Sequence, residues 1–101
     1  MKIEITGTCL VASEIPELTA GNSSSFRDEV SSAVTESTSN IEINLSQTRF
    51  MDSSGLGALF ALYRATIKSD NMVLRLINPL PEIEQLLELT QMQQLFEVVR
   101  R

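Results

Sequence analysis

The chain has 101 residues, of which 43% are hydrophobic and 21% charged, the composition of one soluble globular domain. Its net charge is −5 and its eight lysines and arginines are scattered, so we expect no nucleic-acid partner. It has no histidine, which excludes Ser-His-Asp and Cys-His catalysis and most zinc sites. We therefore expect one domain over 1–101 that is not an enzyme and that holds no metal and no cofactor.

The N-terminal part predicts a pair of strands and a connection. Residues 3–5 and 9–12 predict two short strands about Gly7, as a hairpin or as a bent edge. Ser13 to Thr19 is expected to be a connection, because Pro16 disfavours the interior of a strand. The first residues lack the apolar core of a secretory signal, and no apolar run approaches the roughly 20 residues of a membrane helix. Cytoplasmic localisation without membrane insertion is the expectation.

The centre of the chain predicts a strand–helix–strand unit. N-cap candidates at 22–25 precede a first helix, and 41–45 then alternates as a strand. A second helix is expected from about Ser54 to Ser69, ended by Asp70–Asn71, followed by a strand over 72–77. Such a unit has parallel strands and a right-handed crossover. The first helix is expected to pack through Phe26, Val30, Ala33 and Val34.

The C-terminal part predicts a turn at 78–81 and a third helix, with Pro81 in its first turn. Phe96–Val99 fits either a last strand or the tail of a helix. The expected fold class is α/β, with a single mixed, mostly parallel sheet and helices packed on it. The third helix is expected to pack through Ile83, Leu86, Leu87 and Thr90.

The segment Phe50–Gly57 (FMDSSGLG) lies where the second helix begins, just beyond the carboxyl end of a strand, where α/β sheets place their sites. A helix N-terminus has unpaired N–H groups that accommodate an anion such as a phosphate. Local pattern alone also fits helix capping by Asp52 or Ser53, with Gly57 allowing close packing. The apolar face of this helix is expected to comprise Leu56, Leu59, Phe60, Tyr63 and Ile67.

The stretch 45–59, LSQTRFMDSSGLGAL, resembles the signature of the STAS domain family in its anti-sigma-factor antagonist branch. The resemblance implies a switch protein that binds an anti-sigma factor, itself a serine kinase, and so frees a sigma factor for transcription. It implies that the kinase phosphorylates Ser54, that a serine phosphatase reverses this, and that Asp52 is the aspartate beside the phosphoacceptor. Residues expected to bind the partner or support the site are Asp52, Ser53, Gly55, Leu56 and Gly57.

The resemblance is weaker before residue 41, and two alternatives stay open. Residues 12–18 lack the glycine and aspartate of the turn that the family usually carries there. A non-switching STAS scaffold or small-ligand module of a larger signalling or lipid-transport assembly is therefore the alternative function. An enzyme would need lysine or a carboxylate as base for Ser54, and no lysine is near it in sequence.

Three apolar residues of the motif region, Met51, Leu56 and Leu59, are expected by analogy with the family to contact the partner, although such residues are more often part of the core. The single cysteine, Cys9, is expected to be a small buried hydrophobe rather than a reactive thiol.

Overall fold

The computed structural model describes residues 1–67 and 72–101 and contains seven strands and three α-helices in that part. In chain order the strands are β1 (Lys2–Thr6), β2 (Cys9–Ser13), β3 (Glu17–Leu18), β4 (Asn40–Asn44), β5 (Phe50–Met51), β6 (Val73–Ile77) and β7 (Glu97–Val99). The helices are α1 (Ser23–Ala33), α2 (Ser53–Thr66) and α3 (Pro81–Leu89), and a 3₁₀ turn at Met92–Gln94 precedes β7.

The main sheet has five strands in the order β1-β2-β4-β6-β7. β1 and β2 form an antiparallel hairpin about Gly7, whose φ of 62° suits a residue without a side chain. The other three neighbouring pairs are parallel, including β4 and β6 on either side of α2. The predicted mixed, mostly parallel sheet and the strand–helix–strand unit are confirmed. A small parallel sheet of β3 and β5 accompanies them.

All three helices pack on one face of the main sheet. In β4, Ile41 and Ile43 are fully buried and belong to the same core as Val30 of α1, Leu62 of α2 and Leu87 of α3. Strand side chains alternate between faces, so the intervening Glu42 lies on the opposite face. The three helices thus enclose one core, and the loops at the carboxyl ends of β2 and β4 lie together at one edge.

The prediction that 13–19 is a connection was wrong at Ser13, which is the last residue of β2, and at Glu17–Leu18, which forms β3 against β5. A two-residue strand has no periodic pattern of its own and exists because its partner segment holds it. Pro16 precedes β3 and takes part only through its carbonyl group, which accepts from the Arg49 N–H, so its missing N–H costs nothing.

The predicted end of the second helix at Ser69 was also wrong. α2 ends at Thr66, and the backbone of Ile67 is extended, with φ −85° and ψ 96°. Thr66 and Ile67 are both β-branched, which lowers their preference for a helix. The expected terminator Asp70–Asn71 lies outside the described residues.

The open question at the C-terminus is answered by strand β7, which pairs parallel with β6. Phe96, just before β7, is buried, and its ring meets that of Tyr63 on α2 edge to face, with centroids 5.6 Å apart. Pro81 is the first residue of α3, as expected, and Ile83 is buried beneath it. The last strand is therefore fixed to the core by Phe96.

Candidate functional site

Asp52 fixes the start of α2. It is the N-cap residue, and its Oδ1 accepts a hydrogen bond from the Gly55 N–H at 3.0 Å. Its Oδ2 accepts from the Ala20 N–H at 3.2 Å. These bonds, that from Gly55 foremost, favour the charged carboxylate and lower the pKa of Asp52 below its ordinary value. Asp52 is therefore the cap, and Ser53 is the first helical residue.

Gly55 is required because α2 begins against the backbone of β3. A Cβ on Gly55 would lie 2.1 Å from the carbonyl oxygen of Leu18 and 2.9 Å from Cγ of Met51. In the described part of the chain, a Cβ on Gly57 would meet nothing within 4 Å, so the expectation that Gly57 permits close packing inside the fold was wrong. Gly55 therefore allows α2 to pack against β3, whereas Gly57 leaves the helix backbone exposed.

The loop after β2 and the loop after β4 are joined to each other beneath the motif. Thr48, which is fully buried, donates its hydroxyl to the Ile15 carbonyl at 2.6 Å. The Arg49 N–H donates to the Pro16 carbonyl at 2.9 Å, and the β3–β5 pairing continues the contact. Residues 12–18, where the sequence differs from the family pattern, therefore form part of the frame that holds the motif in place.

Ser54 stands at the second helical position and is partly exposed, while Ser53 is exposed. Within the described residues the Ser54 hydroxyl makes no hydrogen bond, and the Gly55 N–H donates to Asp52 instead. The fold thus does not use this hydroxyl. A group attached to it would change the surface at the start of α2 without removing a hydrogen bond of the native structure.

An exposed stripe continues from the motif along α2. Its members are spaced by four, three and four residues and so lie on one side of the helix. The guanidinium carbon of Arg64 lies 5.7 Å from the centroid of the Phe60 ring, within the range of a cation–π contact. We name this surface the α2 stripe; its members are Ser53, Gly57, Phe60 and Arg64.

Two exposed aromatic rings were not recognised from the sequence. Phe60, which was expected on the core face of α2, is 39% exposed, and Phe50 of β5 is 58% exposed. The spacing from Ser53 could have shown that Phe60 shares its face.

The apolar residues that were expected by analogy to contact a partner belong mostly to the core. Met51 and Leu59 are buried, and Leu56 packs partly against the core. Of the expected partner contacts, those on the exposed face of α2 are therefore Ser53 and Gly57.

A buried carboxylate lies on the opposite face of the sheet and was also missed. Glu42 of β4 is 7% exposed, and both its carboxylate oxygens accept from Arg101, at 2.9 and 2.7 Å. Arg75 of β6 lies 3.8 Å away and binds Glu97 of β7 at 3.1 Å. The Arg101 hydrogen bonds lower the pKa of Glu42. This row of charges joins three neighbouring strands and is structural in character.

Cys9 is half-buried rather than fully buried. Burial raises the pKa of its thiol above the ordinary value, and the neighbouring Glu42 acts in the same direction. A raised pKa decreases the share of thiolate, the reactive form. The expectation of an unreactive cysteine is in keeping with this environment.

A family model, the STAS domain, matches residues 1–101, and the chain belongs to this family. No curated protein matches it in sequence. Among solved structures, a candidate anti-sigma factor antagonist of Thermotoga maritima is similar with a TM-score of 0.85 at 20% identity, over 99% of this chain and 85% of that one. The phosphorylated form of the Bacillus cell fate determinant SpoIIAA is similar with a TM-score of 0.72 at 22% identity, over 97% and 89%.

A third similar structure is the murine anion transporter Slc26a9, with a TM-score of 0.77 at 18% identity; the match covers 94% of this chain and 16% of the transporter. At these identities the likeness concerns the fold alone. Among the helices in the described part of our chain, none is both long and apolar enough to cross a bilayer. The same fold thus occurs in anti-sigma factor antagonists and within a transporter.

Proposed function

We propose that this STAS domain is a phosphorylation-controlled anti-sigma-factor antagonist. In its unphosphorylated form it binds an anti-sigma factor that is a serine kinase, through the α2 stripe and the start of α2. The kinase phosphorylates Ser54, the complex separates, and a serine phosphatase restores the binding form. The observation that carries this proposal is the Ser54 hydroxyl, which is partly exposed at a helix N-terminus and unused by the fold.

The position of Ser54 suits a modification that changes binding without unfolding the domain. A phosphate adds a charge of about −1.5 to −2. The helix dipole at the start of α2 favours that charge locally, whereas the Asp52 carboxylate, which lies two residues earlier and already accepts from the Gly55 N–H, opposes it. A dianion in a closely packed interface must also lose its water. Repulsion and desolvation together are sufficient to release a partner, so no refolding of α2 is needed.

The α2 stripe has the composition of a binding surface. Phe60 offers an exposed aromatic ring, and Arg64 beside it can pair with a carboxylate of the partner. Gly57 lets a second backbone approach closely, since none of the residues that the structure describes occupies the space above it. The net charge of −5 favours a partner that carries a basic patch. These features support protein binding rather than catalysis.

The experiment compares single substitutions at the two serines. The wild-type domain and its variants are used to capture the anti-sigma kinase from extract of the cells that make this protein, and binding is then measured with purified kinase. We expect Ser54→Ala to stay bound when ATP is added and Ser54→Asp to bind at least about tenfold more weakly, because a charge replaces the hydroxyl. Ser53→Ala is the matched control and should be released by ATP as the wild type is.

A second candidate is a non-switching STAS module of a larger assembly, with scaffold or small-ligand function. The likeness to a part of the Slc26a9 anion transporter, of which the match covers 16%, favours it. In that case Ser54→Ala and Ser54→Asp should bind the same partners equally well. Equal binding by both variants therefore favours the module over the switch.

A further inference from the structure

β1 is the first strand of the main sheet, and no strand lies beyond it in the part of the chain that the structure describes. Within residues 1–67 and 72–101 it pairs with β2 alone, and of its five residues all except Ile3 are exposed. An edge strand presents a row of unpaired backbone groups to any further strand, and proteins usually protect such rows. Ile5 is 57% exposed and Met1, just before the strand, is 45% exposed. This edge therefore combines free backbone groups with exposed apolar side chains.

The hairpin determines which backbone groups point outward. β1 and β2 are joined by the two residues Gly7 and Thr8, so Thr6 and Cys9 close the turn as a hydrogen-bonded pair. Hydrogen-bonded and non-bonded pairs alternate along antiparallel strands. By this alternation the N–H and C=O groups of Ile3 and Ile5 are expected to point to the free edge.

The apolar and the charged side chains of β1 lie on opposite faces of the sheet. Ile3 and Ile5 stand opposite Ala12 and Leu10 of β2 and so lie on the helix-bearing face. Lys2 and Glu4 lie on the other face, where Lys2 Nζ is 3.6 Å from Glu4 Oε1. Period-two alternation places Met1 on the apolar face. Apolar residues thus occupy positions 1, 3 and 5, with a cation and an anion between them.

We propose that β1 pairs antiparallel with β1 of a second copy of this chain, about a two-fold axis at Ile3. Lys2 of each copy then stands opposite Glu4 of the other, and Met1 stands opposite Ile5. Ile3 faces its own counterpart, and the outward backbone groups of both copies meet. The two sheets become one continuous sheet, with the helices of both copies on the same face.

The registers next to the one centred on Ile3 are less favourable. A two-fold axis at Lys2 or at Glu4 sets like charges directly opposite each other, which is destabilising. A slip by one residue brings apolar side chains to the charged face. The strand is therefore complementary to itself in the Ile3 register, and this self-complementarity identifies a second copy as the occupant of the edge.

The resulting dimer is expected to be weak. Stable interfaces bury about 800 Å² on each partner, more than one five-residue strand provides. The weight-average mass of the untagged chain should therefore rise with concentration from 11.2 kDa toward twice that value. None of the α2 stripe residues lies on β1, so failure of this proposal would leave the Ser54 proposal unaffected.

Sedimentation equilibrium from micromolar to millimolar concentration, at physiological salt, tests the dimer with charge reversals. Lys2→Glu alone and Glu4→Lys alone each place like charges opposite each other and should raise the dissociation constant by about tenfold or more. An equimolar mixture of these two variants restores both opposite-charge pairs and should dimerise. The double variant Lys2→Glu/Glu4→Lys should dimerise as well.

These substitutions are on exposed side chains, and thermal unfolding of each variant confirms that the monomer is folded. Amide hydrogen exchange adds a second readout, since exchange at Ile3 and Ile5 should slow as concentration rises. A wild-type chain that stays monomeric at millimolar concentration overturns the proposal. So does a dimer that is indifferent to the single reversals, or growth beyond the dimer, which would mean pairing of β1 with another edge.

Discussion

Replacement of each motif glycine by alanine should have opposite effects on stability. In Gly55→Ala the new Cβ would lie 2.1 Å from the Leu18 carbonyl oxygen, where ordinary contact begins at 3.4 Å. The helix and β3 must therefore move apart by about 1.3 Å. The Leu18 oxygen belongs to the backbone, so the clash cannot be relieved by a change of rotamer. The Asp52 N–H also donates to this carbonyl, at 3.3 Å. The strain acts on the junction that holds the motif.

The magnitude follows from two opposing contributions. Overpacking costs about 1–3 kcal/mol, and contact with backbone places Gly55→Ala near 3 kcal/mol. Alanine is preferred to glycine inside a helix by about 1 kcal/mol, so the net loss should be about 2 kcal/mol. In Gly57→Ala only the second contribution applies, and stability should rise by about 0.5–1 kcal/mol. The two variants should differ by about 3 kcal/mol, although the chemical change is the same.

Urea unfolding followed by circular dichroism measures both differences from the transition midpoint at constant slope. Each variant is the control for the other, since the two positions lie half a turn apart in one helix. A loss of stability in Gly57→Ala, or an unchanged midpoint in Gly55→Ala, would refute the assignment of close approach to Gly55 alone. Under the proposed function, Gly57→Ala should also bind the kinase more weakly than the wild type, because its methyl group stands on the α2 stripe.

Two further substitutions test the frame of the site. Thr48→Val removes the hydroxyl that donates to the Ile15 carbonyl at 2.6 Å. The free energy of unfolding in urea should fall by about 1–3 kcal/mol, because that carbonyl is left unpaired in the interior. Ser46→Ala, on the exposed part of the same loop, is the control and should be close to neutral. Asp52→Asn keeps a good N-cap but removes the charge. Because the pKa of Asp52 is lowered in the fold, its charge stabilises the protein above the ordinary carboxyl range, and this contribution is lost as the pH falls through the folded pKa. The stability gap between wild type and Asp52→Asn should therefore close on acidification, and a gap that is independent of pH would contradict this.

The sequence was sufficient for the architecture because the long elements carry their own signals. Alternation at Ile41 and Ile43 indicated β4, and the helical spacing of apolar residues indicated α2. The resemblance of 45–59 to the STAS signature identified the family, which the match over 1–101 confirms. These features are local, so neighbouring residues suffice to define them.

The predictions that were wrong concern features that depend on contacts between segments far apart in the chain. β3 exists because β5 lies beside it, although 31 residues separate Leu18 from Phe50 in the chain. Gly55 and Gly57 look alike in sequence, and only the position of the Leu18 carbonyl separates their roles. Phe60 was assigned to the core because it is aromatic, yet the face of α2 on which it stands has no covering element in the described part of the chain.

Mapping of the phosphate on the protein tests the proposed switch most directly. The domain is incubated with ATP and the anti-sigma kinase that it captures, and the modified residue is identified by mass spectrometry while complex formation is followed. We expect a single phosphate on Ser54, none on Ser54→Ala, and separation of the complex in step with the modification. Phosphate on Ser53 or elsewhere, or a complex that persists with Ser54 fully phosphorylated, would contradict the switch.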